Sequence, residues 1–265
     1  MREGARILAG GSDLLVRLGR VEPWPAALVD IKSLPGLGEL RQSEVGLELG
    51  ATLRIADLHA APELHCYPAL REACRVFAAR QIRERATLGG NLANASPAAD
   101  SMPPLIVHGA ICHTSVRNLP VEELCKGPGS TCLADDEFIT GITLPPAREG
   151  SLSFYHKLAT RDAMAISIVG VALCLEMEKG VVLDARVALG SVAPTVIRAR
   201  QAEAVLIGSR LEPEAVAEAS RLARNEASPI DDIRASAGYR SVMVERILGY
   251  RLGRLKLRAT EAPDS

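Results

Sequence analysis

The alternation of apolar and polar positions divides the chain into two unlike halves. In the first, short apolar runs are separated by turn residues. Residues 6–9 read as a strand, 10–13 as a loop and 14–18 as the start of a helix. Further strands are expected over 27–31, ending in a turn at Pro35-Gly36, and over 47–50. Thr52 can cap a helix starting near Arg54. Residues 68–82 read as one amphipathic helix, with Leu70, Ala73, Cys74, Phe77 and Ala78 on its apolar face. Pro103-Pro104 opens a short helical run to Gly109, and a strand over 138–144 is closed by Pro145-Pro146.

The pattern changes after residue 148. Val169, Val171, Leu173, Leu175 and Met177 alternate along one run. Beyond Lys179-Gly180, Val181, Leu183, Ala185, Val187 and Leu189 alternate along the next. This predicts a long β-hairpin with one buried face. Helices are expected over 213–225 and 236–252. The expected architecture is α+β rather than a doubly wound parallel sheet. It has one domain over 1–148, with a subdomain split near residue 52, a second over 149–256 and a tail over 257–265.

Composition narrows the function classes. The 265 residues are 48% hydrophobic and 24% charged, ordinary for a soluble globular protein with sizeable cores. A net charge of −1 gives no electrostatic reason to expect nucleic acid or an anionic membrane as partner. Arg246, Arg251, Arg254, Lys256 and Arg258 are expected on a solvated helix face leading into the tail. No apolar run approaches the roughly 20 residues of a membrane span. The N-terminus enters a strand directly, so no leader is expected and the cytoplasm is the expected compartment. Cys66, Cys74, Cys112, Cys125, Cys132 and Cys174 form no C-x-x-C pair and read as reduced thiols, with no metal site. His59, His65, His108, His113 and His156 form no triad-like pattern, and no catalytic acid, base or nucleophile is expected.

Candidate chemistry concentrates in two glycine loops. The first is Ile7-Leu8-Ala9-Gly10-Gly11-Ser12-Asp13-Leu14. The second runs from Thr87-Leu88-Gly89-Gly90-Asn91 through Asn94 and Ser96 to Asp100. A Gly-Gly pair lets backbone N–H groups approach an anion without a Cβ in the way. Neither loop is a G-x-G-x-x-G fingerprint or a P-loop. Asp13 is expected to cap the helical turn that follows, leaving the backbone to meet a phosphate. Asp100 can accept hydrogen bonds from sugar hydroxyls. Each pair could instead be only a tight turn. Two of them, one in a dense polar run, point to a ligand with an extended phosphate and sugar portion.

The strings AGGSDLL and ATLGGNLANASPAADSMPPL resemble the signature loops of the FAD-binding medium subunit of molybdenum hydroxylases, the xanthine, carbon monoxide and aldehyde dehydrogenase type. Arg80-Gln81-Ile82-Arg83, the stretch from Lys157 to Ile166, and Ala227 to Arg234 with Tyr239-Arg240 fit the same pattern, in order along the chain. The resemblance implies an FAD-binding fold of the vanillyl-alcohol oxidase (PCMH) type in two subdomains. A small carbon monoxide dehydrogenase flavoprotein-type C-terminal domain of antiparallel sheet and helices would follow. It implies non-covalent FAD. Ile7 to Leu14 would wrap the pyrophosphate, Thr87 to Asn91 would contact the diphosphate and flavin side, and Phe77 would pack on the cofactor. Asp100, Ile139 and Lys157 match further contacts. An ammonium at Lys157 would stabilise negative charge on reduced flavin.

The resemblance also implies partner chains: a large molybdopterin subunit and a small [2Fe–2S] subunit, possible as a dimer of heterotrimers. Electrons would pass from them through FAD to an external acceptor. Some relatives carry a cysteine-rich insertion with a [4Fe–4S] cluster near the second loop. Asn94 to Pro97 here runs directly on to Asp100, so no such cluster is expected. Relatives also carry a strand and helix ahead of the first loop, and with Met1 so near that loop these are expected to be missing. The alternatives are a stand-alone FAD-dependent oxidoreductase of this fold and a truncated assembly module without flavin.

Overall fold

The first apolar run forms β1 (Ala5–Leu8), which pairs in parallel with β2 (Ala27–Asp30). The first glycine loop and the single-turn helix α1 (Leu14–Arg17) lie between them. The computed structural model describes residues 4–161 and 165–261, so 162–164 of the motif after Lys157 and the end of the tail lie outside the described residues.

Next come β3 (Leu40–Ser43), β4 (Gly46–Gly50), α2 (Ile55–Ala60), α3 (Pro68–Val76), α4 (Arg80–Arg83), α5 (Leu88–Ala93) and α6 (Met102–Val107). They are followed by β5 (Ile111–Thr114), β6 (Asn118–Pro120), the small hairpin β7 (Cys125–Gly127) and β8 (Ser130–Thr131), and β9 (Ile139–Leu144). An antiparallel sheet in the order β3-β4-β9-β5-β6 carries Leu47, Leu49, Ile142 and Leu144 into one core with Leu70, Leu88, Leu92 and Leu105 of the helices. Each such fully buried side chain contributes on the order of 1.5–3 kcal/mol. Thr52 does not cap α2. Arg54 stands at that position, and the first helical amide, Ile55 N, donates 2.9 Å to the Ala86 carbonyl. The approach of the second glycine loop supplies the acceptor a side-chain cap would have supplied.

The second half contains β10 (Leu152–Leu158), β11 (Val169–Glu178), β12 (Val181–Gly190), β13 (Ile197–Arg198), α7 (Arg200–Leu206), α8 (Pro213–Glu226) and α9 (Ala237–Glu261). The antiparallel order is β10-β11-β12-β13. Lys179 (φ 49°) and Gly180 (φ 76°) make the tight left-handed turn that joins β11 to β12. Both faces of this hairpin are buried, not one. Val171, Leu173, Val187 and Leu189 pack with α8 and α9, whereas Ala172 and Ala188 join the core of the first half. The alternation also slips. Glu176 pairs with Asp184 and Met177 with Val182, so Leu183 sits in a bulge and is exposed while Val182 is buried.

The halves are tied by polar contacts. Glu72 on α3 accepts from Tyr155 N at 2.7 Å and from Arg251 on α9 at 3.2 Å. Arg251 also lies 4.4 Å over the Phe154 ring, so the basic face of α9 is not wholly solvated. The late motif has a structural task. Buried Arg240 donates to the Ile168 and Ser191 carbonyls at 2.9 Å and pairs with Asp232 at 2.6 Å.

Candidate cofactor-binding site

The two glycine loops meet. A Cβ on Gly10 would lie 2.0 Å from the Arg85 carbonyl oxygen, at the entry to the second loop. A Cβ on Gly89 would lie 2.7 Å from Ala51 Cβ. Only glycine permits either approach. Together the loops wall a cavity of about 440 Å³, within the size range of small-molecule sites. Ile7, Ala9, Gly10, Gly11, Ser12, Asp13 and Leu14 line it from one side and Thr87, Gly89, Gly90 and Asn91 from the other, with Phe77 and Ile139 completing the wall.

The loops offer different chemistry. In the first, Gly11 is left-handed (φ 69°), and the amides of Gly10, Gly11, Ser12 and Asp13 donate to none of the described residues. A run of unpaired N–H groups in a concave turn is an anion-binding nest. In the second loop the amides are already used. Leu88 N donates to the Leu53 carbonyl (3.0 Å), Gly89 N to Ala51 (2.9 Å) and Asn91 N to Thr87 (3.0 Å), while the Thr87 hydroxyl accepts from Gly90 N at 3.2 Å. Free backbone amides therefore lie in the first loop and not in the second. The glycines of the second serve close packing and the cap of α5. Of that loop's residues on the cavity wall, Asn91 and Asn94 carry side-chain amides, the Asn91 Oδ1 accepting from the Ser101 hydroxyl at 2.6 Å.

Asp13 does not cap α1 with its side chain. Its carboxylate instead accepts from Arg17, four residues on, at 3.5 Å, because residues one helical turn apart share a face. Arg17 also reaches the Asn94 amide oxygen at 3.5 Å and pairs with Glu22, bridging the loops. Phe77 reaches the cavity because the helix expected over 68–82 breaks. Helix α3 ends at Val76, Phe77 is extended and Ala78 is left-handed (φ 38°) before α4 begins. Arg83 holds the break by donating to the Phe77 carbonyl at 2.7 Å.

The structure places four expected residues off the cavity wall. Leu8 belongs to β1, and Leu88 is fully buried in the core. Asp100 and Lys157 face each other. The Lys157 ammonium donates 2.6 Å to one Asp100 carboxylate oxygen and 3.3 Å to the Val76 carbonyl, and the Tyr155 hydroxyl donates 2.8 Å to the other oxygen. Burial pushes the Asp100 carboxyl up, opposed by Lys157 and Tyr155. Burial also holds the Tyr155 phenol well above its ordinary value. Asn94, expected among the polar groups of the second loop, is on the wall, whereas sequence reasoning missed Arg6, Arg17, Leu133, Glu137 and Phe138 there. The spacing from Asp13 could have found Arg17. Glu137 had no local signal, since its partners Thr114 (2.7 Å) and Arg117 (2.9 Å) come from a distant hairpin. Those hydrogen bonds, Arg117 first, hold its carboxyl down to about 2. Among the described residues no group of three or more His, Cys, Asp or Glu could hold a metal ion, and all six cysteines are free.

Residues 1–147 match the family described as the FAD binding domain in molybdopterin dehydrogenase. The chain belongs to that family. Residues 154–252 match the CO dehydrogenase flavoprotein C-terminal domain. Similar proteins include the putative xanthine dehydrogenase FAD-binding subunit of Escherichia coli K12, 32% identical over 91% of this chain and 85% of that protein. The carbon monoxide dehydrogenase medium chain of Hydrogenophaga pseudoflava is 29% identical, covering 92% of this chain and 86% of that one. Among solved structures, a reconstituted CO dehydrogenase from Oligotropha carboxidovorans superposes with a TM-score of 0.91 at 29% identity, over 96% of this chain and 90% of that chain. The FAD-binding family's two-part architecture, an FAD domain followed by the smaller flavoprotein domain, is the one described above. Its cofactor suits the cavity: an amide nest for a pyrophosphate lies beside an apolar wall of Phe77, Leu133, Phe138 and Ile139.

Proposed function

We propose that this chain is the FAD-carrying electron-transfer subunit of a multi-subunit molybdenum hydroxylase. The observation that carries this reading is the unpaired amide nest of the first loop opening on a cavity shared with the second loop. When bound, FAD supplies redox chemistry that no side chain of the chain provides. The amides of Gly10 to Asp13 would hold the pyrophosphate, with Arg17 near enough to offset the Asp13 charge. Asn91 and Asn94 would hydrogen-bond the sugar and ring edges, and Ile139 and Phe77 would exclude water from the flavin. Lys157 and Asp100 act as a positioning pair. They fix the Val76 carbonyl and so the start of the segment that carries Phe77.

The partners are a large molybdopterin-binding chain and a small [2Fe–2S] chain, and the complex is cytoplasmic. The free cysteines support the last point, and no helix is long and apolar enough to cross a membrane among the described residues. Purification of the tagged chain from its own host tests the reading. The expected result is a yellow protein, one FAD per chain, bringing down both partners. Colourless protein would overturn the flavin assignment. Flavin-loaded protein without partners would make it a stand-alone oxidoreductase.

A further inference from the structure

Three consecutive residues, Glu137, Phe138 and Ile139, lie on the wall of the cavity. In a regular strand successive side chains point to opposite faces, so such a run needs a departure from strand geometry. The structure supplies one at the start of β9. Thr114 of β5 pairs with Ile139 but His113 pairs with Gly141, which leaves Thr140 as an extra residue in β9. A bulge of this kind re-aims the side chains beside it. Residues 137 and 138 precede the strand and are held by the turn from β5 to β6 instead: Ser115 N donates 2.9 Å to the Phe138 carbonyl, and Phe138 N donates 3.3 Å to Ser115 Oγ.

The anchor of this stretch is the Glu137 carboxylate. One oxygen accepts from the Thr114 hydroxyl at 2.7 Å and from Arg117 Nε at 2.9 Å. The other accepts from Ala134 N at 3.0 Å and from Arg117 Nη2 at 3.3 Å. Arg117 Nη2 also donates 2.8 Å to the Cys132 carbonyl, at the far end of the same loop. The turn after β5 thus grips the segment 132–138 at both ends, and that segment also carries Leu133 to the wall. The Glu137 side chain is only 3% exposed. An ionised carboxylate has about four acceptor sites, and here all are filled by protein donors. Glu137 is therefore committed to holding the loop rather than to meeting a ligand. A buried ion pair adds little stability over apolar packing, and what this one fixes is geometry.

We propose that Glu137 is a positioning residue for the flavin: through its carboxylate it fixes Leu133, Phe138 and Ile139 in the arrangement against which the ring packs. This rests on the flavin assignment above. Glu137 acts through the loop and not by touching the ring, and Arg117 acts through Glu137 and the Cys132 carbonyl.

The test titrates the full chain, stripped of flavin, with FAD, and records the visible circular dichroism of the bound flavin at saturation. That signal arises from the fixed surroundings of the ring, so lost stability alone does not move it. Glu137→Gln keeps the side chain's size but sets an amide N–H2 against donors. FAD affinity is expected to fall by about tenfold, because the wall is no longer preorganised. The circular dichroism of the bound flavin should fall by about half or more for the same reason. Arg117→Lys is the second variant and carries the test if Glu137→Gln does not fold. Its site is 48% exposed, and one ammonium cannot span both carboxylate oxygens and the Cys132 carbonyl. Both readouts should shift in the same direction as in Glu137→Gln. Glu218→Gln, which removes an exposed ion pair with Arg221 on α8, should move neither. An unchanged signal of the bound flavin in Glu137→Gln, whatever happens to stability, would overturn the positioning role. So would an equal change in Glu218→Gln. A change that Arg117→Lys does not share would place the carboxylate in direct contact with the ring and overturn it as well. Wild-type chain that takes up no FAD would overturn the flavin assignment instead.

Discussion

At the residue scale, glycines and one buried ion pair decide the site. Gly10→Ala would place a Cβ 2.0 Å from the Arg85 carbonyl, so the loops must separate. FAD affinity is expected to fall by about tenfold, near 1.4 kcal/mol. Gly38→Ala is the control, because its Cβ would meet only Thr52 Oγ1 at an ordinary 3.5 Å. Titration of apo-protein with FAD separates the two, and equal affinities would refute the role of the close approach. The Asp100–Lys157 pair makes a second prediction. Its side chains are 7% and 6% exposed. Lys157→Met strands a buried carboxylate and should cost about 3–5 kcal/mol in denaturant unfolding. Adding Asp100→Leu should recover much of that loss. Additive losses would show that the pair is not a unit. The residues of both loops were legible in the sequence, because Gly-Gly flanked by small polar residues is a local signal. Which amides remain free was not. That depends on Ala51 and Leu53, which reach the second loop from a different part of the chain.

At the scale of elements, the break between α3 and α4 governs the cavity wall. Hydrophobic periodicity carries straight through 68–82, since Phe77 and Ala78 fit the apolar face of a continuous helix. The break is set by tertiary contacts instead, with Lys157 on the Val76 carbonyl and Arg83 on the Phe77 carbonyl. Periodicity cannot register such contacts. The bulge at Leu183 was hidden in the same way, since its apolar residue continues the alternation while the strand register slips. By contrast α8 and the Lys179-Gly180 turn were readable, because a proline at the first turn and a left-handed turn residue are local requirements. If Arg83 fixes the break, Arg83→Met leaves the Phe77 carbonyl without its partner. The cost should be about 1–2 kcal/mol in stability. FAD affinity should fall as well, with Phe77 fluorescence too weak to follow and titration of flavin absorbance serving as the readout. An unchanged affinity with lowered stability would make Arg83 a purely structural clamp.

At the scale of the whole molecule, the two halves share buried groups, and one of them makes the fold pH-sensitive. His108 ends α6, packs its ring edge-on to Tyr67 at 5.3 Å, and lies near Arg186 of β12 in the other half. Its Nε2 is buried without a hydrogen-bond partner among the described residues. Burial, with Arg186 adding to it, pushes its pKa down from 6.5 to about 4. The unfolded chain therefore takes up the proton first as pH falls. The stability this neutral histidine allows is full above about 6.5 and is lost as pH drops towards 4. From pH 7.5 to pH 5 the loss from this residue alone is about 2 kcal/mol. Glu137 does not compete in this window. Its carboxyl is held down to about 2, so its own contribution disappears only as pH falls from about 4.5 towards 2. His59 and His156 are also lowered by burial and act in the same direction, so the wild type alone cannot isolate one residue. The difference between wild type and His108→Leu can. Leucine keeps an apolar side chain against Tyr67 and removes the proton uptake. The variant should lose stability between pH 7.5 and pH 5 less steeply than wild type, by about 2 kcal/mol in denaturant midpoints converted at constant slope. Parallel pH profiles would mean that His108 is charged in the fold and that water reaches the seam between the halves.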